Sequence, residues 1–282
     1  MPQGTVKLLK QAKESCLEDK FRKNNLVHLP AEGELVVTGD LHGHHRNFER
    51  VKNFADLENN PERHLVLQEI IHGSPQDSNC NCPSFRVLLE AARYKVKFPH
   101  RVHIIMGNHD TACITNSDVL KNGQEMNQLM RDALKSRYED SSKMVIDATS
   151  DMLFSQPLAV KCANGLWLSH SLPSNRFVNK FKTDIFERQL VKEDFVKPGS
   201  VYLLTWGRKQ TQQTLDKLAE MLGVKVFLLG HQPSPEGWKY LGENAVIITS
   251  EHNQGCIVKL DLSEECTAEK ITKNIIKLAS LK

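Results

Sequence analysis

The stretch Glu34-Leu35-Val36-Val37-Thr38-Gly39-Asp40-Leu41-His42-Gly43 begins with apolar residues and ends with a carboxylate and an imidazole two positions apart. A continuous apolar run of this kind is typical of a strand buried on both faces of a sheet. Gly39 and Gly43 flank the two polar side chains and permit a tight turn after the strand. With such a turn, Asp40 and His42 can both reach one cation.

Four further apolar runs have the same form and are each followed by polar residues. They are residues 65–67, 102–106, 166–168 and 226–229. Helical stretches separate them, one with Phe48, Val51 and Phe54, and another that runs from Ser84 to Ala92. Strands that alternate with helices predict an α/β fold, in which ligands gather at the carboxyl ends of the strands.

The residues at these strand ends are of types that bind metals and move protons. Beyond the first run, they are Glu69, His72, Asn108, His109, Asp110, His170 and His231. Oxygen ligands mixed with imidazoles suit manganese, iron or zinc better than calcium or magnesium. A single histidine at a strand end is best explained as a satisfied, partly buried residue. Five coincident strand ends instead favour a metal site.

The 282 residues are enough for one large hydrophobic core, and we expect a single domain. Residues 1–33 are predicted to form an N-terminal helical extension and residues 118–155 a helical cap. Residues 263–282 form a basic C-terminal segment, predicted as an amphipathic helix with a solvated face. Residues 245–249 and 256–260 are predicted to be paired strands around a turn at Gly255.

Composition excludes some classes of protein and partner. The 37 basic and 34 acidic residues give a formal charge of +3, spread along the chain, so neither a nucleic acid nor a membrane is an expected partner. The first residues lack the apolar core of a signal peptide, and no segment approaches the roughly 20 apolar residues of a membrane span. We therefore expect a cytoplasmic protein; the sequence does not specify an oligomeric state.

The seven cysteines are odd in number and irregularly spaced, which argues against a disulfide framework. Cys80 and Cys82 could form half of a thiolate zinc site. A structural zinc needs four ligands, and no second pair lies near in sequence. We therefore interpret them as loop cysteines.

Taken together, the strand-end motifs resemble, in order and in type, those of the calcineurin-like metallophosphoesterases. Within that superfamily the chain looks most similar to the serine/threonine phosphoprotein phosphatases, because Gly230-His231-Gln232 is followed by a Gly-aromatic turn and the late strand pair. The resemblance covers about residues 34–262. It implies a two-sheet β-sandwich flanked by helices, with four layers in the order αββα.

The resemblance also implies roles for individual residues. Asp40 and His42 would hold the first of two metal ions, and Glu69 would bridge both. The second ion would be held by Asn108, His170 and His231. A hydroxide shared by the two ions would attack phosphorus in line, while His109 protonates the departing oxygen.

Two departures from the family's pattern concern the second strand end. Glu69 stands where an aspartate is usual, and His72-Gly73 replaces an Asp-Arg-Gly. The missing arginine would bind the substrate phosphate, so Arg208 and Arg176 are candidates to take over that role. The missing aspartate would orient the catalytic histidine, so His72 or Asp110 must substitute for it.

The leading hypothesis is a phosphatase that hydrolyses a phosphomonoester of a phosphoprotein or of a small phosphorylated metabolite. A phosphodiesterase or dinucleoside polyphosphate hydrolase is the alternative enzyme. Pro233 argues against the diesterase, because many diesterase relatives have a histidine there. A non-catalytic protein that binds metal or a phosphorylated ligand is the third hypothesis, motivated by the absent Asp-Arg-Gly.

Overall fold

Two β-sheets and the helices beside them form the protein, seen in a computed structural model that describes residues 1–73, 83–121 and 123–281. The helices are α1 (Pro2–Leu17), α2 (His45–Ala55), α3 (Pro83–Lys97), α4 (Asn108–Thr115), α5 (Met126–Tyr138), α6 (Ser142–Phe154), α7 (Ser200–Trp206), α8 (Gln212–Leu222) and α9 (Ala268–Lys273). The strands are β1 (Arg22–Lys23), β2 (Leu26–Leu29), β3 (Glu34–Asp40), β4 (Arg63–Gln68), β5 (Val102–Ile105), β6 (Leu120–Lys121), β7 (Gln124–Glu125), β8 (Ala159–Cys162), β9 (Leu166–Ser169), β10 (Val226–Leu229), β11 (Trp238–Tyr240), β12 (Ala245–Ile248), β13 (Cys256–Asp261) and β14 (Ile275–Lys277).

All five apolar runs are strands, as predicted, and they are divided between the two sheets. The larger sheet has the order β1-β2-β8-β9-β10-β12-β11, and the smaller has the order β14-β13-β3-β4-β5. Strands β3, β4 and β5 are parallel, and so are β9 and β10. Parallel neighbours end at the same edge of a sheet, so the polar residues that follow them are brought together.

The two sheets pack face to face through a continuous apolar layer. Val37 and Val66 of the smaller sheet belong to the same buried cluster as Leu168, Leu228 and Val246 of the larger sheet. Each of these aliphatic side chains stabilises the fold by roughly 1.5–3 kcal/mol relative to an exposed position.

Helices cover the outer face of each sheet. On the smaller sheet, Val36 and Leu65 lie in one cluster with residues of α1, α2 and α3. On the larger sheet, Trp167 and Phe227 lie in another cluster with residues of α7 and α8. The resulting order of layers is helix, sheet, sheet, helix, which confirms the expected fold class.

Helices α5 and α6 follow a two-stranded hairpin, β6 and β7, within residues 118–155. Met126, Met130 and Leu134 are buried on one face of α5, in line with their helical spacing. In the first 33 residues, β1 and β2 follow α1, and β2 joins the larger sheet beside β8.

The C-terminal part of the chain departs from two predictions. Residues 263–282 do not form one amphipathic helix: α9 has six residues, and β14 then pairs with β13. Strands β12 and β13 are not paired either, because β12 lies in the larger sheet and β13 pairs with β3 in the smaller one. In both cases a long-range strand partner determined the structure, and local sequence does not show such a partner.

Among the residues described, no helix is long and apolar enough to cross a membrane. Five cysteines lie in that part of the chain, and all are free thiols. Cys80 and Cys82, which we interpreted as loop cysteines, lie outside it.

Candidate active site

The six candidate ligands meet at the ends of strands from both sheets. His170 Nε2 lies 2.8 Å from Asn108 Oδ1 and 2.8 Å from Glu69 Oε2. His231 Nδ1 lies 2.9 Å from the same Asn108 oxygen and 3.2 Å from His170 Nε2. Metal–ligand bonds of about 2.0–2.2 Å place neighbouring ligand atoms about 3 Å apart. Asn108 Oδ1, His170 Nε2 and His231 Nδ1 therefore have the mutual spacing of ligands around one ion, and Glu69 Oε2 borders this group through its contact with His170.

Asp40 lies between this group and His42. Its Oδ1 is 3.6 Å from His170 Nδ1, and its Oδ2 is 4.0 Å from His42 Nε2. The backbone N–H of His231 donates to both carboxylate oxygens, at 3.0 and 3.1 Å. Asp40 thus connects the end of β3 in one sheet to the end of β10 in the other.

Gln68 sets the orientation of the His170 ring. Its amide N–H donates to the carbonyl of Thr38 at 2.7 Å, so its oxygen is left to accept from His170 Nδ1 at 3.4 Å. With its hydrogen on Nδ1, the ring would have the lone pair of Nε2 available for a cation shared with Asn108 and Glu69. Sequence reasoning missed this residue, although it directly follows a predicted strand.

Several of the polar residues have strained backbones. His42, Glu69, His72 and His231 have positive φ values of 42°, 46°, 62° and 65°. For residues other than glycine, this left-handed conformation costs on the order of 1–3 kcal/mol each and is concentrated at functional sites. Gly107 and Gly230 have no room for a side chain, because a Cβ would clash with Glu69 and with Asp40, respectively.

Burial of these groups disfavours their charged forms. Desolvation raises the pKa of Glu69 to about 8 and that of Asp40 to about 6. It lowers the pKa of His42 to about 4, and it lowers the pKa of His231 well below 6.5. A cation among these groups would oppose the effect of burial on the carboxylates, by favouring their ionised forms, and would reinforce its effect on the imidazoles, by favouring their neutral forms.

His109 contacts His72, one of its two candidate orienting partners. The two Nδ1 atoms are 3.0 Å apart, so one ring donates to the other. The Asp110 carboxylate instead accepts from the backbone N–H of Gly107 at 2.9 Å and caps the start of α4. The structure therefore brings His72, and not Asp110, into hydrogen-bond contact with His109.

The cleft above these residues has a volume of about 190 Å³. Its walls include four of the candidate ligands together with His109 and Arg208. Both candidate arginines are exposed. Arg208 lines the cleft, whereas the guanidinium of Arg176 lies 5.4 Å from the ring centroid of Phe177. Of the two candidate phosphate-binding arginines, the structure brings Arg208 into the cleft.

Residues 34–235 match the sequence model of the calcineurin-like phosphoesterase family, which is more than half of the chain. The chain is a calcineurin-like phosphoesterase. It is therefore a hydrolase, of a family that generally uses two divalent metal ions. In a sequence comparison, no curated protein matches this phosphoesterase.

Two solved structures with similar folds are phosphatases. One is a serine/threonine phosphatase from Saccharomyces cerevisiae with similarity to human phosphatase PP5; it is 16% identical, with a TM-score of 0.70, over 98% of this chain and 88% of that chain. The other is a cold-active protein-tyrosine phosphatase of a psychrophile, Shewanella sp.; it is 14% identical, with a TM-score of 0.60, over 87% of this chain and 80% of that chain. At these identities the likeness concerns the fold.

The site of this phosphoesterase fits the metal ions of its family. Two carboxylates, an amide oxygen and three imidazoles form a donor set suited to later transition metals. Glu69 Oε2 is buried without a well-aligned hydrogen bond, although His170 Nε2 is close to it. Buried polar atoms left without partners are expected where an ion completes the site.

The cleft of the phosphoesterase also includes residues that sequence reasoning missed, among them Lys121 and Glu251. The Lys121 ammonium lies 2.6 Å from Glu251 Oε2, which is 3.9 Å from His42 Nε2. Glu251 follows β12, so the rule that found the other strand-end residues could have found it. Lys121 belongs to no motif, and its position depends on how the cap packs.

A second group of ligand-type atoms lies on α2 and α3. His45 Nε2 is 3.0 Å from Glu90 Oε2 and 3.8 Å from Glu49 Oε1. Both carboxylates already have cationic partners, since Lys52 is 2.6 Å from Glu49 and Arg86 is 3.0 Å from Glu90. We interpret this group as an ion-pair network on the helix surfaces.

Proposed function

We propose that this phosphoesterase hydrolyses a phosphomonoester, carried by a phosphoprotein or by a small phosphorylated metabolite. The observation that supports this best is the composition of one cleft, whose walls combine four candidate metal ligands with His109 and Arg208. Because the two phosphatases with similar folds act on proteins by their names, phosphopeptides are the first natural substrates to screen.

The proposed metal ligands fall into two groups that share Glu69. Asp40 and His42 would hold one ion, and Asn108, His170 and His231 would hold the other; manganese, iron and zinc all suit this donor set. When bound, two such ions would lower the pKa of water towards about 7 and neutralise charge on the phosphoryl oxygens.

His109 is the proposed proton donor. Its Nδ1 is engaged by His72, which leaves Nε2 to face the oxygen of the leaving group. As water forms a new P–O bond and the ester P–O bond breaks, the proton on Nε2 passes to the departing oxygen. Burial lowers the pKa of His109 well below 6.5, and the negative phosphate of a bound substrate opposes that shift.

Arg208 is the proposed phosphate-binding arginine. A guanidinium can donate two parallel hydrogen bonds to the oxygens of one phosphate, which fixes orientation as well as adding affinity. Arg208 lines the cleft with His109, whereas Arg176 stands over Phe177. We therefore assign the role to Arg208.

We expect the manganese-loaded protein to hydrolyse p-nitrophenyl phosphate faster than bis(p-nitrophenyl) phosphate. His109→Asn should lower kcat by about 10²- to 10⁴-fold, because it removes the proton donor, and should leave the bound metal unchanged. His28→Asn is the matched control, since His28 is exposed on β2 and does not line the cleft.

Three results would oppose the proposal. Full activity in His109→Asn would remove the assigned proton donor. Faster hydrolysis of the bis-ester would indicate a phosphodiesterase. Hydrolysis of neither compound, with metal bound, would support a non-catalytic binding protein.

A further inference from the structure

We infer that Lys121 binds the phosphate of the substrate beside Arg208, in the role that the missing arginine at His72-Gly73 would have filled. This inference rests on the proposed function, because it names a substrate-binding residue of the same site. It is carried by the position of Lys121 in the wall of the cleft, by the packing that holds its strand and by the single acceptor that its ammonium has among the described residues.

Lys121 reaches the cleft from the hairpin at the start of the cap. The hairpin pairs Leu120 with Glu125 and Lys121 with Gln124. Lys121 lines the same cavity as Asp40, His109 and Arg208. Two basic residues from separate elements, Lys121 and Arg208, therefore border the space above the candidate metal ligands.

The hairpin is fixed at its base, so the position of Lys121 is determined by packing. The Glu125 carboxylate accepts from the backbone N–H groups of Val119 and Asn127, at 3.2 and 3.0 Å. Val119 and Met126 are buried in a small cluster with Ala112 of α4. Because α4 also carries His109, the hairpin and the proposed proton donor rest on one element.

Glu251 accepts one hydrogen bond from the Lys121 ammonium and leaves the other N–H groups of that ammonium available. The two side chains are only 23% and 28% exposed, and their charged atoms are 2.6 Å apart. Within the described ranges, Glu251 is the only hydrogen-bond acceptor recorded for the ammonium. An ammonium has three donors, so two remain for phosphate oxygens.

The ion pair of Lys121 and Glu251 also affects the charge that a phosphate meets in the cleft. A lone carboxylate at the position of Glu251, 3.9 Å from His42, would repel a phosphate that enters the cleft. Lys121 neutralises that carboxylate and places a positive charge beside it. A purely structural ion pair would tie the hairpin to the loop after β12 and would not affect phosphate.

The test is binding of inorganic phosphate to the manganese-loaded protein, measured by calorimetry alongside KM and kcat for p-nitrophenyl phosphate. Lys121→Met should weaken phosphate binding and raise KM by about 10- to 100-fold, which corresponds to the loss of a charge-assisted hydrogen bond. Lys121→Arg keeps the charge and should stay within about threefold of the wild type.

Lys143→Met is the matched control. Lys143 also belongs to the cap and pairs with a carboxylate, Asp147, at 2.9 Å, but it is exposed and does not line the cleft. This variant should bind phosphate as the wild type does. Equal manganese content and equal unfolding temperatures in all variants would exclude an indirect effect through folding.

The inference is overturned if Lys121→Met binds phosphate as tightly as the wild type, or if the wild type binds none. If the wild type hydrolyses phosphomonoesters and Lys121→Met retains its phosphate affinity, the proposed function stands and the inference fails. If the wild type binds phosphate through Lys121 but hydrolyses nothing, the inference stands and the proposed function fails.

Discussion

At the scale of single residues, the contact between His72 and His109 is a departure from the family's pattern. His72 occupies the place of a carboxylate in the family's pattern, and a neutral imidazole orients a neighbouring ring without adding negative charge. Burial lowers the pKa of His72 to about 3, so this ring remains neutral at physiological pH. We therefore propose a positional role for His72.

We expect His72→Phe to lower kcat by about 10- to 100-fold, with KM and metal content nearly unchanged. Phenylalanine fills the space but removes the hydrogen bond that fixes the His109 ring, and losses of this size are typical of residues that orient catalytic groups. Steady-state kinetics with p-nitrophenyl phosphate would measure it. An unchanged kcat would show that His109 needs no orienting partner.

Much of the candidate site follows from short-range sequence pattern. Asp40, Glu69, Asn108, His170 and His231 could all be found because each follows an apolar run. Lys121 could not be found in this way, since it does not follow an apolar run and belongs to no motif. Its place in the cleft depends on the packing of Val119 and Met126 against α4, which is a tertiary property.

At the scale of elements, a buried charged cluster joins the end of α1 to α3, β4 and β5. Asp19 lies 3.1 Å from Lys95 and 2.9 Å from His103, and His103 is 3.1 Å from His64. Desolvation lowers the pKa of His64 from 6.5 to about 3, with further lowering from His103. His64 is therefore neutral in the folded protein at physiological pH.

We expect the free energy of unfolding of the metal-free protein to fall between pH 7 and pH 5, in part because of His64. The unfolded chain takes up a proton at this position below pH 6.5, whereas the folded protein does so only near pH 3, so acid favours unfolding in that window. The contribution at pH 5 is about 1 to 2 kcal/mol.

Denaturant unfolding of the wild type and His64→Gln at both pH values would measure this contribution. The variant should lose less stability than the wild type on acidification. His100→Gln is the control, because His100 is 42% exposed at the edge of the cluster. Equal losses in wild type and His64→Gln would show that His64 does not contribute.

The elements themselves were only partly predictable. Strands buried on both faces could be located from their apolar runs. The strand β14 could not, because Ile271, Ile275 and Leu278 have the spacing of a helix face. The pairing of Ile275 and Ile276 with β13 decided the outcome, and it depends on where the smaller sheet ends.

At the scale of the whole molecule, the candidate metal centre joins the two sheets. Asp40 and Glu69 come from the ends of strands in the smaller sheet, whereas His170 and His231 follow β9 and β10 of the larger one. Ions held by both sets would bind the folded sandwich and not the unfolded chain. Such binding stabilises the fold by about 2.7 kcal/mol at a concentration 100 times the dissociation constant.

The most direct test of this account is a manganese titration of the metal-free protein, with bound metal, the unfolding temperature and hydrolysis of p-nitrophenyl phosphate followed together. We expect the wild type to gain stability and activity as about two ions bind. Asp40→Asn replaces a candidate ligand carboxylate with a neutral amide, so this variant should bind less metal and should gain neither stability nor activity. The central claim is that these strand ends form a dimetal phosphatase centre. It would be contradicted if the wild type bound two ions but stayed inactive and became no more stable, or if Asp40→Asn behaved as the wild type does.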